Sequence, residues 1–206
     1  NGAKYETSSK KNTDQYIPVS KKNTPSWNYI SQTKSKIVSE NMYGESKTVK
    51  SYLIDGTAWD TTIQWISNNT GRSLTEGCKD WGNYWDSNYT IKGLYAKHNY
   101  NKGWFPALVY KNGLYTKGSE YTEVATGVTV EGDPTRNSAC NIYDMAGNMW
   151  EWTTETGNPD GTSTTRAVRR GGSFFDYGSS YPVSYRGGGN TVSDSYNINI
   201  GFRVVL

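Results

Sequence analysis

The sequence predicts an α+β fold in which two packing helices are followed by short antiparallel strands joined by long loops. Helix-like periodicity occurs twice before residue 72 and is absent after it. Beyond that point Gly, Asn, Asp and Tyr recur every few positions, a pattern typical of short strands and turns. Only 34% of the residues are hydrophobic but 14% are aromatic, so the core is expected to consist largely of a few big rings.

One domain covering residues 18–206 is the simplest interpretation of a chain of this length. Residues 1–17 are polar and without periodicity, which predicts a flexible segment ahead of the domain. No signal peptide and no apolar run of about 20 residues is visible, so no membrane insertion is expected. The net charge of +3 is too small to indicate a nucleic-acid partner.

Local signals predict both helices. The first is expected over residues 26–44, from a serine that follows a proline to a glycine stop. Its apolar face would carry Trp27, Ile30, Ile37 and Met42. The second is expected over residues 57–69 and is stopped by Gly71. Its apolar stripe would carry Trp59, Ile63 and Ile66, with Trp65 beside it.

Short strands are expected in the remainder of the chain. Alternating or β-branched segments bounded by turn residues occur at residues 104–110, 122–130 and 167–173. No internal repeat is present, so these strands are expected to belong to one compact unit.

Cysteine and histidine are too scarce for most catalytic chemistry. Cys78 and Cys140 are the two cysteines, which excludes a disulfide scaffold and a multi-thiolate zinc site. Either one bridge joins them or both are buried free thiols. His98 is the single histidine, so Ser-His-Asp triads, histidine-rich iron sites and zinc hydrolase sites lack most of their parts.

Residues 174–200 have the composition of a binding surface. Tyr, Ser, Gly and Asn fill 16 of these 27 positions, the mixture that antibody paratopes use for large contact area and adaptable hydrogen bonding. Lys, Glu, Gln, Trp and Met are all absent from the segment. Randomising the adenines of an AAY asparagine codon yields none of those five residues. The segment is therefore interpreted as a region varied by adenine-specific mutagenesis.

Three motifs are specific in combination. Residues 141–152 read Asn-Ile-Tyr-Asp-Met-Ala-Gly-Asn-Met-Trp-Glu-Trp, which alone could be a turn that fixes two Trp in a core. Residues 170–174 read Arg-Gly-Gly-Ser-Phe, and residues 201–203 read Gly-Phe-Arg. In this order the motifs closely resemble the formylglycine-generating-enzyme (sulfatase-modifying factor) type of domain, a variant of the C-type lectin fold. Residues 53–60 resemble that family's helix-entry segment.

The resemblance implies the fold and limits which of the family's activities this chain can have. Sulfatase-activating members of the family carry two reactive cysteines shortly after the Gly-Gly-Ser motif, where this chain has Asp176 and Tyr181. Neither side chain can act as a thiolate or a copper-binding thiol. Sulfoxide-synthase members use a histidine-rich iron site, which one histidine cannot build. The family's remaining use is as the scaffold of variable proteins of diversity-generating retroelements, in which a reverse transcriptase writes adenine-specific errors into the 3′ end of the gene.

That use implies a rigid frame beneath a hypervariable face. Trp150, Trp152 and Phe202 are expected to be buried in the frame. Arg170 and Arg203 are expected to pair with acids or carbonyls at its edges. The display positions are expected to be exposed and to bind the ligand, although the glycines among them could be simple turn residues. They are Phe175, Asp176, Tyr177, Ser179, Ser180, Tyr181, Ser184, Tyr185, Gly187, Gly188, Gly189, Thr191, Val192, Ser193, Asp194, Ser195, Tyr196 and Ile198.

The resemblance also implies a candidate structural calcium site, since family members often bind calcium around the Gly-Asn turn. Asp144 and Glu151 would give side-chain oxygens, and Gly147 and Met149 backbone carbonyls. An all-oxygen set of this kind suits a hard cation. Asp144 could equally cap a turn, and no cofactor is required for ligand binding.

The leading hypothesis is a non-catalytic ligand-binding or receptor-recognition protein of a phage particle or a bacterial cell surface. Its partner would be a protein or glycan on a cell surface. One alternative is an enzyme of the formylglycine-generating type with an atypical active site, which the shortage of cysteines disfavours. The other is a carbohydrate- or protein-binding module with a fixed surface. A reverse transcriptase gene beside a near-copy of the 3′ end would distinguish a diversified surface from a fixed one.

Overall fold

The computed structural model describes residues 12–19, 21–98, 114–117, 122–128, 130, 132–133, 135–139, 141–159, 161, 164–188 and 197–206. The strand expected at residues 104–110 and Cys140 lie outside the described residues. Within them the chain forms two α-helices and short strands, so the predicted α+β class is confirmed.

The helices come before most of the strands. They are α1 (Gln32–Asn41) and α2 (Gly56–Thr70), and two 3₁₀ turns follow at Glu76–Asp80 and Gly93–Tyr95. The strands in the described part of the chain are β1 (Tyr52–Leu53), β2 (Tyr89–Lys92), β3 (Ala96–His98), β4 (Leu114–Lys117), β5 (Thr122–Val124), β6 (Ser138–Ala139), β7 (Ile142–Tyr143), β8 (Trp150–Gly157), β9 (Arg166–Arg170), β10 (Arg186–Gly188), β11 (Ile200–Phe202) and β12 (Val204–Val205).

Helix α1 begins later than its sequence pattern indicates. The prediction placed Trp27 and Ile30 on the helix, but Tyr29 has a left-handed backbone with a φ of 56°, and α1 starts only after the N-cap Ser31. Both side chains are still buried, because they pack against Val38 of the helix. The apolar spacing of Trp27 and Ile30 thus predicted their burial correctly but predicted a helical conformation that they do not adopt.

The C-terminal end of α1 also differs from the prediction. The helix ends at Asn41, before the expected stop at Gly44. Ile37 and Met42 stay partly exposed. The side chains that α1 buries are Ser35, Val38 and Ser39. This helix therefore packs through small residues, which a search for an apolar stripe overlooks.

Helix α2 confirms its prediction to within one residue at each end. The Oδ1 atom of Asp55 accepts a hydrogen bond from the Ala58 N–H at 2.7 Å and caps the first turn. Gly71 ends the helix with a left-handed φ of 70°. The predicted stripe of Trp59, Ile63 and Ile66 is buried. Neither helix in the described part of the chain is long and apolar enough to cross a lipid bilayer.

A four-stranded sheet in the order β10-β9-β8-β11 carries the sequence motifs. β9 coincides with most of the strand expected at residues 167–173 and ends where Gly171 and Gly172 adopt positive φ angles of 92° and 73°. β5 covers only the start of the strand expected at residues 122–130. β11 pairs with β8 in parallel, so the expectation of purely antiparallel strands is wrong for this edge.

Large rings dominate the centre of the domain, as predicted. Trp59 and Tyr84 are fully buried in one cluster with α2, whereas Trp150 and Trp152 lie in a second cluster on β8. Cys78 is a buried free thiol in the first cluster, so the disulfide alternative is wrong for this cysteine.

Candidate functional site

The Gly-Asn turn of residues 147 and 148 connects three parts of the chain. The Gly147 N–H donates to the Gly171 carbonyl at 2.8 Å, and the Asn148 N–H donates to the Asn83 carbonyl at 2.7 Å. The Asn148 carbonyl accepts from the Phe174 N–H at 3.0 Å. The turn therefore anchors the segment that enters the predicted display region.

The Asn148 side chain is buried and makes three hydrogen bonds within the frame. Its Nδ2 donates to the Val124 carbonyl at 3.0 Å, and its Oδ1 accepts from the Val124 N–H at 2.9 Å. The same Oδ1 accepts from Asn83 Nδ2 at 2.8 Å. A buried amide with several hydrogen bonds fixes one conformation, which makes this residue structural.

Arg203 of the terminal Gly-Phe-Arg motif forms a bidentate ion pair with Glu151. Its Nε and one terminal nitrogen donate to the two carboxylate oxygens at 2.8 and 2.6 Å. Arg203 also donates to the Tyr143 carbonyl at 2.9 Å. Burial raises the pKa of the Glu151 carboxyl, although the charge and hydrogen bonds of Arg203 act in the opposite direction. The expectation that Arg203 pairs with an acid is confirmed.

Arg170 fulfils the same expectation on β9. It is fully buried and is ion-paired with Asp60 of α2. It also lies 3.8 Å from a Glu155 carboxylate oxygen and donates to the Ser184 carbonyl at 3.3 Å. The arginine thereby connects the sheet to α2 and to Ser184 within the display region.

Three of the four residues of the expected calcium set are engaged in other contacts. Both Glu151 oxygens accept from Arg203, and the Gly147 carbonyl accepts from the Met149 N–H at 2.8 Å. Asp144 Oδ2 accepts from the Gly127 N–H at 2.9 Å, which is the turn-capping alternative. No three His, Cys, Asp or Glu side chains form a metal-binding group within the described residues. Calcium binding stays a prediction.

Asp144 is the most perturbed carboxyl of this region. Its Oδ1 atom is buried without a hydrogen-bond partner, although the residue as a whole keeps some exposure. Burial raises the pKa of Asp144 to about 7, and the nearby charge of Arg203 offsets only part of that rise. The folded domain therefore holds a proton on Asp144 more tightly than the unfolded chain does.

We expect this carboxyl to make the domain less stable as the pH rises from about 4 to about 7. The folded state binds the proton over that interval, so deprotonation favours unfolding, with a slope below about 1.4 kcal/mol per pH unit. Asp144→Asn should flatten the slope in urea unfolding across this range. Asp133→Asn is the control, because a hydrogen bond from Thr135 lowers the pKa of Asp133 below its ordinary value, so this carboxyl affects stability only below this pH range and should leave the slope unchanged. An unchanged slope in Asp144→Asn would contradict the assignment.

The predicted display positions differ in exposure. Five of those described are exposed: Tyr177, Ser179, Ser180, Tyr181 and Tyr185. Four are partly buried: Phe175, Asp176, Ser184 and Gly188. Two are buried: Gly187 and Ile198. The positions outside the described residues are Gly189, Thr191, Val192, Ser193, Asp194, Ser195 and Tyr196.

Gly187 and Ile198 depart from the expected exposure. Ile198 is only 6% exposed, and its carbonyl accepts from Asn28 Nδ2 at 2.6 Å. Gly187 lies in β10 opposite Arg169, where an added Cβ would sit 3.3 Å from the Trp150 ring. Both are frame positions, because strand pairing and burial leave no room for a free choice of side chain.

Asp176, which the family resemblance predicts at one of the two cysteine positions, is held by contacts with the frame. Its Oδ2 accepts from the Ser173 hydroxyl at 2.5 Å, and its backbone carbonyl accepts from the Trp85 N–H at 2.8 Å. Burial raises the pKa of Asp176, which the Ser173 hydrogen bond and the charge of Arg169 oppose. Its side chain is thus less available to a ligand than those of the exposed tyrosines.

Tyr181 and Tyr185 form an aromatic cluster on a frame residue. Their ring centroids lie 5.7 and 6.0 Å from that of Trp150, and 5.0 Å from each other, all edge-to-face. The guanidinium of Arg169 lies 4.6 Å from the centroid of the Trp150 ring. Sequence analysis missed Arg169, whose signal was its position beside the Gly-Gly-Ser motif.

Comparison with known proteins supplies one match. A family model described as the sulfatase-modifying factor enzyme 1-like domain matches residues 58–206. No curated protein and no solved structure matches the chain. The matched residues include all three motifs and the exposed tyrosines, and they leave out the N-terminal part that contains α1.

Proposed function

Because this chain belongs to the sulfatase-modifying factor enzyme 1-like family, we propose that it is a non-catalytic member whose exposed C-terminal face binds a ligand on a cell surface. The observation that carries the proposal is the exposed group of Tyr177, Tyr181 and Tyr185, with Ser179 and Ser180 between them. Rigid aromatic side chains interleaved with small polar ones suit recognition of a macromolecule. The protein would act on a phage particle or a bacterial surface.

The proposal includes diversification of this face by a diversity-generating retroelement. Its support is the composition of residues 174–200. Randomised adenines in an AAY asparagine codon cannot encode Lys, Glu, Gln, Trp or Met, and all five are absent from this segment. The burial of the frame adds a physical reason. Exposed positions contribute little to the free energy of unfolding, so many of them can change together without loss of the fold.

The chemistry of Cys78, the cysteine within the described residues, argues against a function like that of the family's enzymes, which oxidise a substrate cysteine. By the motif resemblance, Asp176 and Tyr181 replace the two reactive cysteines of the sulfatase-activating members. Cys78 is fully buried, and burial raises its pKa to about 11, so it is protonated at neutral pH. Family membership alone is equally consistent with an enzyme that has an atypical active site, so activity needs a direct test.

We expect the purified protein, with or without copper, to form no formylglycine in a cysteine-containing sulfatase-motif peptide. Mass spectrometry of the peptide against a blank without protein measures this, and an active family enzyme serves as the positive control. Formylglycine above the blank would reject the non-catalytic proposal. Loss of that activity in Cys78→Ser would then identify the thiol involved.

Sequencing the genomic neighbourhood tests diversification separately from catalysis. We expect a reverse transcriptase gene and a near-copy of the 3′ end that differs from it at adenines. Substitutions should fall in codons of exposed positions such as Tyr177 and Tyr181, and should spare Gly187 and Ile198, which are buried. A neighbourhood with no such copy would leave a ligand-binding module with a fixed surface.

A further inference from the structure

Arg169 differs from the other arginines of the sheet because its guanidinium has no hydrogen-bonding partner in the described part of the chain. The Nε atom is buried and unpartnered, and the residue as a whole is partly exposed. Arg170 and Arg186, by contrast, form ion pairs with Asp60 and Glu155. An arginine that is partly desolvated and lacks acceptors can gain strong hydrogen bonds from a ligand anion.

The position of this guanidinium is set by the frame. It lies 4.6 Å from the centroid of the Trp150 ring, and Trp150 is 2% exposed. Gly187, its partner across β9 and β10, has no side chain, so the Arg169–Trp150 stack is not displaced. Stacking on an aromatic face orients the planar guanidinium of Arg169 without using any of its N–H donors.

Within the part of the chain that the structure describes, the charged groups around Arg169 leave its donors available. Asp176 acts on Arg169 electrostatically, but its carboxylate accepts from Ser173 and forms no ion pair with Arg169 within the described residues. Arg186, on the neighbouring strand, is neutralised by Glu155 at 2.7 Å. Among the described residues, the other groups that act electrostatically on Arg169 are the phenols of Tyr181 and Tyr185, which are 37% exposed each.

We propose that Arg169 is a constant anchor for a carboxylate, and that the partner of this face is a protein that presents an aspartate or glutamate side chain to Arg169 beside the packed rings of Tyr181 and Tyr185. The inference rests on the proposed ligand-binding function and adds the chemistry of the partner. Arg169 lies outside residues 174–200, so variants that differ in the display positions would share a preference for acidic ligands.

Two observations favour a protein carboxylate over the carboxylate of an acidic sugar. Tyr181 and Tyr185 pack edge-to-face with each other and with Trp150, so they do not offer the flat ring platform on which a sugar stacks. The fork of a guanidinium matches the two oxygens of a carboxylate, and the Tyr and Ser residues around it resemble surfaces that recognise proteins.

The test is selection of a random peptide display library on the intact protein, followed by affinity measurement of the selected peptides. We expect the binders to share an Asp or Glu, and to lose affinity about tenfold or more when that residue becomes Asn or Gln. The peptide change leaves the protein untouched, so misfolding cannot produce the result. In Arg169→Met the same peptide change should have little further effect. Arg169→Lys keeps the positive charge but not the planar guanidinium. In this variant the peptide change should reduce affinity less than in the wild type and more than in Arg169→Met.

Arg186→Gln is the matched control, because this arginine is on the adjacent strand but is already paired with Glu155. Its peptide affinities should stay within about twofold of the wild type. Peptides that bind through Tyr181 or Tyr185, but do not depend on acidity or on Arg169, would overturn the carboxylate anchor and leave the proposed function intact. Binding that occurs only to uronic- or sialic-acid glycans would overturn the protein partner. If no peptide or glycan depends on Tyr181 or Tyr185, the proposed function fails as well.

Discussion

Gly147→Ala is expected to lower the free energy of unfolding by more than about 3 kcal/mol. Losses of this size are typical of substitutions that disrupt the core or strain the backbone. Gly147 has a φ of 69°, a conformation that side chains disfavour, and a Cβ at this position would overlap the backbone carbonyl of Asn83. Relief would require movement of the turn that bonds to Asn83 and Gly171. Because those bonds position the display segment, loss of the fold should accompany loss of ligand binding.

Gly71→Ala is a matched control for this substitution. Gly71 has a φ of 70°, almost the same as Gly147, but an added Cβ would have no atom within 4 Å. It should cost about 1–2 kcal/mol, the penalty of the left-handed conformation alone. Urea unfolding measures both variants, and the difference between their midpoints reports the steric overlap. Similar losses in the two variants would show that the Gly-Asn turn tolerates a side chain.

Trp152→Ala is expected to cost about 3–5 kcal/mol, as the loss of a core aromatic side chain does. Trp152 is fully buried, and its indole N–H donates to the Ile30 carbonyl at 2.8 Å. The same loss is expected for Trp150→Ala, since Trp150 is 2% exposed. Phe202→Ala should cost less than either, because Phe202 is only partly buried although it packs edge-to-face on Trp27 at 5.6 Å. The expectation that all three are core residues is therefore corrected for Phe202.

Exposed display residues should behave differently from these frame residues. Tyr177→Ala should stay within about 1 kcal/mol of the wild type in the same urea experiment, because Tyr177 is 52% exposed. Tyr185→Ala should also stay small, although some loss of contact with Trp150 is expected. Tyr196, the third residue of this predicted group, lies outside the described residues. Losses as large as that of Trp152→Ala would show that the tyrosines are core residues, and the display proposal would be wrong.

The contrast between frame and face is what a diversified binding protein requires. A total stability of about 5–15 kcal/mol tolerates many changes that each affect it slightly, but not several that each remove a buried ring. Gly187 and Ile198 illustrate the limit, because both belong by composition to the display segment and by burial to the frame. Variation at these two positions would be selected against even if mutagenesis reached them.

Local signals in the sequence were sufficient for α2 and for the family. The apolar stripe and the stopping glycine both act within the helix itself, so no distant contact was needed to place α2. The three motifs are short and ordered, and the family model that matches residues 58–206 confirms the family they indicated. Diversification of this chain by a retroelement rests on the amino acids that a randomised asparagine codon can encode, and it stays a prediction.

Tertiary structure alone decided which residues meet across the chain. Glu151 had the features of a metal ligand, but Arg203 approaches both of its oxygens from 52 positions away. Trp27 and Ile30 had helical spacing, but they are buried from a non-helical segment that packs on α1.

Arg169 lies beside the Gly-Gly-Ser motif in the sequence, but its candidate role depends on Trp150 and on the glycine opposite it, which only the fold brings into contact with it. The physical reason is the same in each case. Helix caps and turn residues report the conformation of their chain neighbours, whereas ion pairs, ring contacts and burial depend on partners that only folding brings within reach.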